Sequence, residues 1–254
     1  MTLPWGASAP PRVRDRLRSA PDGPVPVLHS GAHALYVEVG GWCVGVVGPG
    51  AAQVPCALRV SDIRTIRTTV APGPVTAYLV GGKLHVGGRP LSIGRLVGAH
   101  VPPLGDGATQ STDPVTVEAT PPATVAGFVS PHLSDGRLDA AAAGRLLGRG
   151  EGLTPLGDDV LAGWLAMHRA ARSATAEVDA VVDGARDRTT LLSATLLDCA
   201  RRGEVLPQFA AWVRALGTAD EPAAVRSLHA VGATSGAGLH AGGRLALHQL
   251  REAA

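Results

Sequence analysis

The sequence predicts an α+β protein. A β-rich N-terminal part, residues 1–115, forms an antiparallel meander or a small barrel. A helical C-terminal part, residues 116–254, carries the glycine-rich motifs. Three observations lead there. Short Val-rich runs punctuated by glycine pairs fill the first hundred residues. From about Asp135 onward, apolar residues recur at helical spacing in Ala-rich segments. Between these regions, residues 102–122 are dense in Pro, Gly, Thr and Asp and have no helical period, as a connector would.

The predicted strands are residues 25–29, 34–39, 42–47, 75–80, 83–86 and 89–93, each bounded by Gly, Pro or Ser. Gly40-Gly41, Gly81-Gly82 and Gly87-Gly88 are two-residue turns, so neighbouring strands pair as hairpins. Residues 115–118 would make an edge strand inside the connector. The predicted helices are residues 137–147, 158–171, 189–201, 207–216, 221–230 and 238–251. No repeat of solenoid length is present.

Composition narrows the function. Hydrophobic residues are 45% and charged residues 17%, so the chain can bury a core and is not of disordered type. A net charge of +2 gives no reason to expect a nucleic-acid surface. The basic cluster Arg12, Arg14, Arg16 and Arg18 reads as the solvated face of an early helix. Cys43, Cys56 and Cys199 form no CxxC and no zinc-ligand spacing, which suits buried, reduced thiols in a cytoplasmic protein. The N-terminus has no apolar run after a basic start, so no secretory signal is expected. The apolar stretch 34–54 is broken by Glu38, Pro49 and five glycines, which is a strand pair and not a membrane helix.

Three segments carry chemistry. In GRGEGLTPLGDD, residues 148–159, the glycines let the backbone approach a ligand. Thr154-Pro155 reads as an N-cap followed by the first helical residue. A helix start behind a glycine loop attracts phosphate or carboxylate, making Gly150, Gly152, Thr154 and Gly157 candidate anion-binding residues. Asp158 heads an apolar stripe through Leu161, Ala162 and Leu165, while Asp159 heads a face of small residues, Ala162, Gly163 and Ala166. The two aspartates either complement the helix dipole or point inward to serve a ligand. In the second role they accept hydrogen bonds from an amide or hold Mg²⁺ bridging to phosphate, and their charge matters for affinity. In the second segment, TTLLS at residues 189–193, Ser193 lies on the apolar stripe of its helix, where a serine commonly bonds back to a carbonyl. In the third, GATSGAG at residues 232–238, Thr234, Ser235 and Gly236 precede the last helix, as caps or as ligand contacts. His240 follows and reads as a satisfied structural histidine. None of the segments is a P-loop, a dinucleotide fingerprint or a nucleophile elbow.

The run GEGLTPLGDDVLAG, residues 150–163, resembles the signature of the AllH-like family, oxamate carbamoyltransferase subunits. The runs at 190–193 and 232–236 resemble the family in the same order. The resemblance implies a subunit of a carbamoyltransferase complex that handles carbamoyl phosphate or oxamate during allantoin and purine nitrogen catabolism. It implies a small anionic metabolite and further subunits as partners, with neither nucleic acid nor membrane. Two activities fit it: a catalytic transferase subunit, or a non-catalytic metabolite-binding or regulatory subunit. No base–nucleophile pair is visible among the motifs.

Overall fold

The computed structural model describes residues 4–61, 76–105 and 122–253. The chain divides into two compact units, Met1–Gly98 and Ala99–Ala254. The boundary expected at residues 115 and 116, and the edge strand expected at 115–118, lie outside the described residues.

Among its described residues the first unit has nine strands and one helix. They are β1 (Trp5–Ala9), α1 (Pro11–Ser19), β2 (Gly23–Val25), β3 (Val27–Ser30), β4 (Ala34–Val39), β5 (Trp42–Val47), β6 (Ala57–Val60), β7 (Ala77–Val80), β8 (Lys83–Val86) and β9 (Arg89–Leu96). The three glycine-pair hairpins form as predicted. All six glycines have positive φ, from +55° to +78°, which a two-residue turn matching strand twist requires. Register is regular across them, as in Val39↔Trp42 and Val80↔Lys83.

The sheet is more than a meander. Its order is β2-β7-β8-β9-β1-β6-β5-β4-β3. β1 pairs in parallel with β9, and β5 pairs in parallel with β6, so two hairpin groups are joined through the first strand. β2 and β3 occupy opposite edges, yet only Pro26 separates them in the chain. Consecutive residues cannot lie at the two ends of a flat nine-stranded sheet, so the sheet must curl until its edges meet. The Glu38 N–H of β4 donates to the Pro26 carbonyl at 2.9 Å and ties that seam. The result is a nearly closed barrel.

The strand expected at 25–29 is therefore two strands broken at Pro26, which has no N–H to donate to a ladder. β5 is buried along its whole length, with Trp42, Cys43, Val44, Val46 and Val47 all at 2% exposure or less. α1 buries Val13 and Leu17. Arg12 and Arg16 are not merely solvated: their guanidinium carbons lie 5.1 and 5.5 Å from the centre of the Trp42 ring.

The second unit contains eight helices among the described residues. They are α2 (Ala123–Val129), α3 (Ala140–Leu146), α4 (Leu156–Ala170), α5 (Ala176–Asp183), α6 (Leu191–Ala200), α7 (Pro207–Ala215), α8 (Glu221–His229) and α9 (Ser235–Glu252). Residues 99–104 belong to this unit: Val101 N–H bonds Gly203 and Leu104 N–H bonds Ala170. α3 starts at a cap: the Asp139 carboxylate accepts from the Ala142 N–H at 2.7 Å.

α4 is buried on nearly every side, which explains its apolar and small residues all round. It packs against α9 through glycines. A Cβ on Gly163 would strike the Leu239 carbonyl, and one on Gly242 would strike the Val160 carbonyl. The two backbones thus approach more closely than side chains would allow. Between these helices, Trp164 Nε1 donates to Gln249 Oε1 at 2.6 Å, and Gln249 Nε2 donates to the Leu138 carbonyl. The core continues to Trp212, packed edge-on against Phe209 and His240.

Candidate functional site

The loop at residues 147–155 folds back over the start of α4. Gly148 and Gly150 have φ of +75° and +117°. A Cβ on Gly148 would strike the Arg188 carbonyl, and one on Gly150 would lie 2.6 Å from the Leu156 nitrogen. Glycine is needed at both for conformation and for space. Gly157 is equally confined, against the carbonyls of Leu146 and Arg149. Gly152 is exposed and its Cβ position is open.

The loop brings the three segments together around the two aspartates. Asp158 is 1% exposed. Its Oδ1 accepts from the Gly148 N–H at 2.7 Å. Its Oδ2 accepts from the Ser193 hydroxyl at 2.7 Å and from the Thr189 hydroxyl. Thr190 caps α6 by accepting from the Ser193 N–H at 3.1 Å, and its own hydroxyl donates to the Leu153 carbonyl at 2.6 Å. One carboxylate thus joins the glycine loop, α4 and the start of α6.

Asp159 faces the other way, toward α9. Its β-carbon would lie 2.8 Å from a Cβ at Gly238, so glycine is what admits it. Thr154 and Ser235, 81 residues apart, place their hydroxyl oxygens 2.9 Å from each other beside this carboxyl. Asp159 Oδ2 is buried without a hydrogen-bond partner. Burial pushes the Asp159 carboxyl up to about 8; the Ser235 hydroxyl opposes the rise, the neighbouring Asp158 adds to it, and Thr154 opposes it. At neutral pH this side chain is a neutral acid, with one O–H donor and one carbonyl acceptor.

Several expectations change here. Thr154 is not the cap of α4: Pro155, at φ −51° and ψ 140°, holds that place, and Thr154 turns its hydroxyl to Ser235 instead. The first N–H groups of α4 are engaged within the chain. Gly157 bonds Arg149, while Asp158 and Asp159 bond Pro155. At α9 the Gly236 N–H bonds Val231 and the Gly238 N–H bonds Thr234. What these helix starts offer an anion is the positive end of the dipole, not a row of free donors. Thr234 is exposed and is the cap residue of α9, although its side chain makes no capping bond. Gly236 serves close packing, since a Cβ there would strike the Leu228 carbonyl. Ser193 donates to Asp158 and not to a backbone carbonyl.

Magnesium fits these surroundings poorly. Three donors already crowd the Asp158 oxygens, which leaves a single unengaged carboxylate oxygen, on Asp159. Among the described residues no group of three or more His, Cys, Asp or Glu is arranged to hold a metal ion.

His240 is fully buried. Its Nδ1 lies 3.0 Å from His229 Nε2, while its Nε2 has no partner. Burial, then His229 and Arg244, hold it down at about 3. The three cysteines are buried and none is disulfide-bonded.

Thr189 opens the second segment, but no role of its own is legible for it in the sequence; in the structure it donates to Asp158. It stands beside Thr190 before a helix, where a second hydroxyl looks redundant, and only the return of the 148–159 segment gives it a partner.

Residues 146–247 match the family model described as oxamate carbamoyltransferase subunit AllH. The matched stretch contains all three segments and lies within the second unit. A comparison with curated proteins finds no match, and neither does a comparison with solved structures. No helix among the described residues is long and apolar enough to cross a membrane.

Proposed function

We propose that this chain is a subunit of an oxamate carbamoyltransferase-like enzyme in allantoin and purine nitrogen catabolism. It binds a small anionic metabolite of the carbamoyl phosphate or oxamate type and works with other subunits. The family match over residues 146–247 supports the class of protein. The observation that carries the ligand is the Asp159 carboxyl, buried, neutral at neutral pH and with one oxygen unengaged.

Oxamate and carbamoyl phosphate share one unit, an amino group bonded to a carbonyl carbon, and both carry negative charge elsewhere. A neutral carboxylic acid matches that unit at two points: its carbonyl accepts from the amide N–H, and its O–H donates to the amide oxygen. An ionised carboxylate would make only the first bond and would repel the anionic end. Two ionised aspartates beside a phosphate would need a bridging cation. With Asp158 compensated by three donors and Asp159 neutral, no cation is required. The dipoles of α4 and α9 favour the ligand's negative end, and the hydroxyls of Thr154 and Ser235 offer it hydrogen bonds.

A second reading, a non-catalytic metabolite-binding or regulatory subunit, has one observation in its favour. The hydroxyls of Thr189, Thr190 and Ser193 are each engaged, so none stands ready as an attacking group. In that case the carbamoyl group is transferred on a partner subunit. Carbamoyl transfer assays on the purified chain, alone and reconstituted with proteins encoded beside it, separate the two. Turnover by the chain alone supports the catalytic subunit. Turnover only after reconstitution supports the binding subunit, and none in either mixture removes the transferase reading.

A further inference from the structure

A cavity in the helical unit lies away from the aspartates, between α2 and α9. It encloses roughly 410 Å³, within the range of small-molecule sites. Val129, Leu133, Leu245 and Leu247 give it an apolar wall, and Arg244 and Arg251 line it without any acidic residue.

Arg244 is the informative side chain. It is 17% exposed, and its nearest carboxylate, Glu221, is 3.6 Å away, an ion pair without a hydrogen bond. Glu221 itself is drawn to the Gly217 N–H at 2.9 Å and the Trp212 N–H at 3.4 Å. Among the described residues Arg244 makes no hydrogen bond, so a largely buried guanidinium keeps its donors free at an apolar cavity. Arg251, two turns further along α9, adds a second positive charge.

We propose that this cavity binds a small amphipathic carboxylate, with its apolar body against Val129, Leu133 and Leu245 and its carboxylate on the Arg244 fork. Guanidinium and carboxylate match in shape and can bond in pairs, while the apolar wall excludes a small, strongly hydrated anion. The site shares no residue with the Asp159 cluster and stands whether or not the carbamoyltransferase reading holds.

Octanoate is a suitable probe, with octanamide as its neutral counterpart, titrated calorimetrically into the full chain. The expected result is one saturable site for octanoate, with octanamide at least roughly tenfold weaker. Arg244→Gln should weaken octanoate by about the same factor. Ala126→Leu keeps every charge and fills part of the wall. It should also weaken octanoate, with an unchanged circular dichroism spectrum and melting temperature. Equal affinity for octanoate and octanamide, octanoate affinity untouched by Ala126→Leu, or no saturable binding to the unaltered chain at low millimolar concentration would overturn the proposal.

Discussion

The Ser193 hydroxyl donates to Asp158 Oδ2 at 2.7 Å, and that bond sets the surroundings of Asp158 apart from those of its neighbour Asp159. With Gly148 and Thr189 also donating to it, Asp158 has the partners of a buried carboxylate. Asp159, one residue on, faces hydroxyls shared with each other and keeps an unengaged oxygen. The first ties the glycine loop, α4 and α6 together; the second leaves a buried oxygen without a partner.

Asp158→Asn should therefore be a stability variant. The new amide can accept at one oxygen only and turns N–H donors toward donors already in place. Hydrogen bonds to charged groups are worth about 1.5–3 kcal/mol each, so a loss of about 2–4 kcal/mol is expected in denaturant unfolding. A melt indistinguishable from the parent would remove the joining role from Asp158.

Asp159→Asn should behave in the opposite way and depend on pH. In the native chain the carboxyl ionises near 8, against 3.8 for a free aspartate. The folded state thus holds its proton where the unfolded state has released it. Stability from this group is complete below pH 3.8 and is lost as pH rises toward 8. Asparagine keeps the shape of the neutral acid and never ionises. The variant should match the parent below about pH 4, exceed its melting temperature increasingly up to about pH 8, and keep a constant lead above that. Parallel pH profiles for the two would show that Asp159 is ionised in the folded chain.

The buried histidines predict weakness on the acid side. Burial holds His168 at about 4, with Arg169 contributing, and His240 at about 3, both from an ordinary 6.5. Both rings are neutral in the fold, and neither nitrogen of His168 has a partner. Stability is complete above pH 6.5 and falls as the pH drops toward 4, because only the unfolded chain takes up the protons. Unfolding free energy measured between about pH 7 and about pH 5 should fall less steeply in His168→Gln and His240→Gln than in the parent. An unchanged slope would mean that these rings protonate in place.

Close approach of α4 and α9 is tested by single methyl groups. Gly163→Ala and Gly242→Ala each put a Cβ into a backbone carbonyl of the other helix, where no side chain can swing aside. Each should cost about 1–3 kcal/mol, despite alanine's better helix propensity. Gly127→Ala on α2 meets nothing within 4 Å and is the control, expected to be neutral or slightly stabilising. Equal effects at all three positions would argue against the close packing.

The sequence made the hairpins legible because a glycine pair between Val-rich runs has one economical geometry, and β4, β5 and β8 begin and end where they were expected. β1 and β6 were not legible. WGASA and ALRV carry little β signal and become strands because β1 fits between β9 and β6, a long-range pairing that local pattern does not encode. At the site, the inward aspartates followed from stripe positions. The unequal surroundings of Asp158 and Asp159 did not, because they depend on which hydroxyls arrive from α6 and α9. That difference reverses one expectation: charge matters at both positions if both are ionised, but a neutral Asp159 makes shape and hydrogen bonding matter there instead.

The most direct test of a neutral acid reading a primary amide is calorimetric titration of oxamate into the unaltered chain, Asp159→Asn and Asp159→Leu, at about pH 7 and about pH 9, on either side of the Asp159 ionisation. At the lower pH the account predicts binding to the unaltered chain and, within a few-fold, to Asp159→Asn, whose side-chain amide offers the same donor and acceptor. Asp159→Leu should be weaker by roughly tenfold or more. At the higher pH the unaltered chain should lose affinity while Asp159→Asn does not. Oxamate binding that is equally tight in Asp159→Leu, or absent from the unaltered chain at neutral pH, would contradict the account.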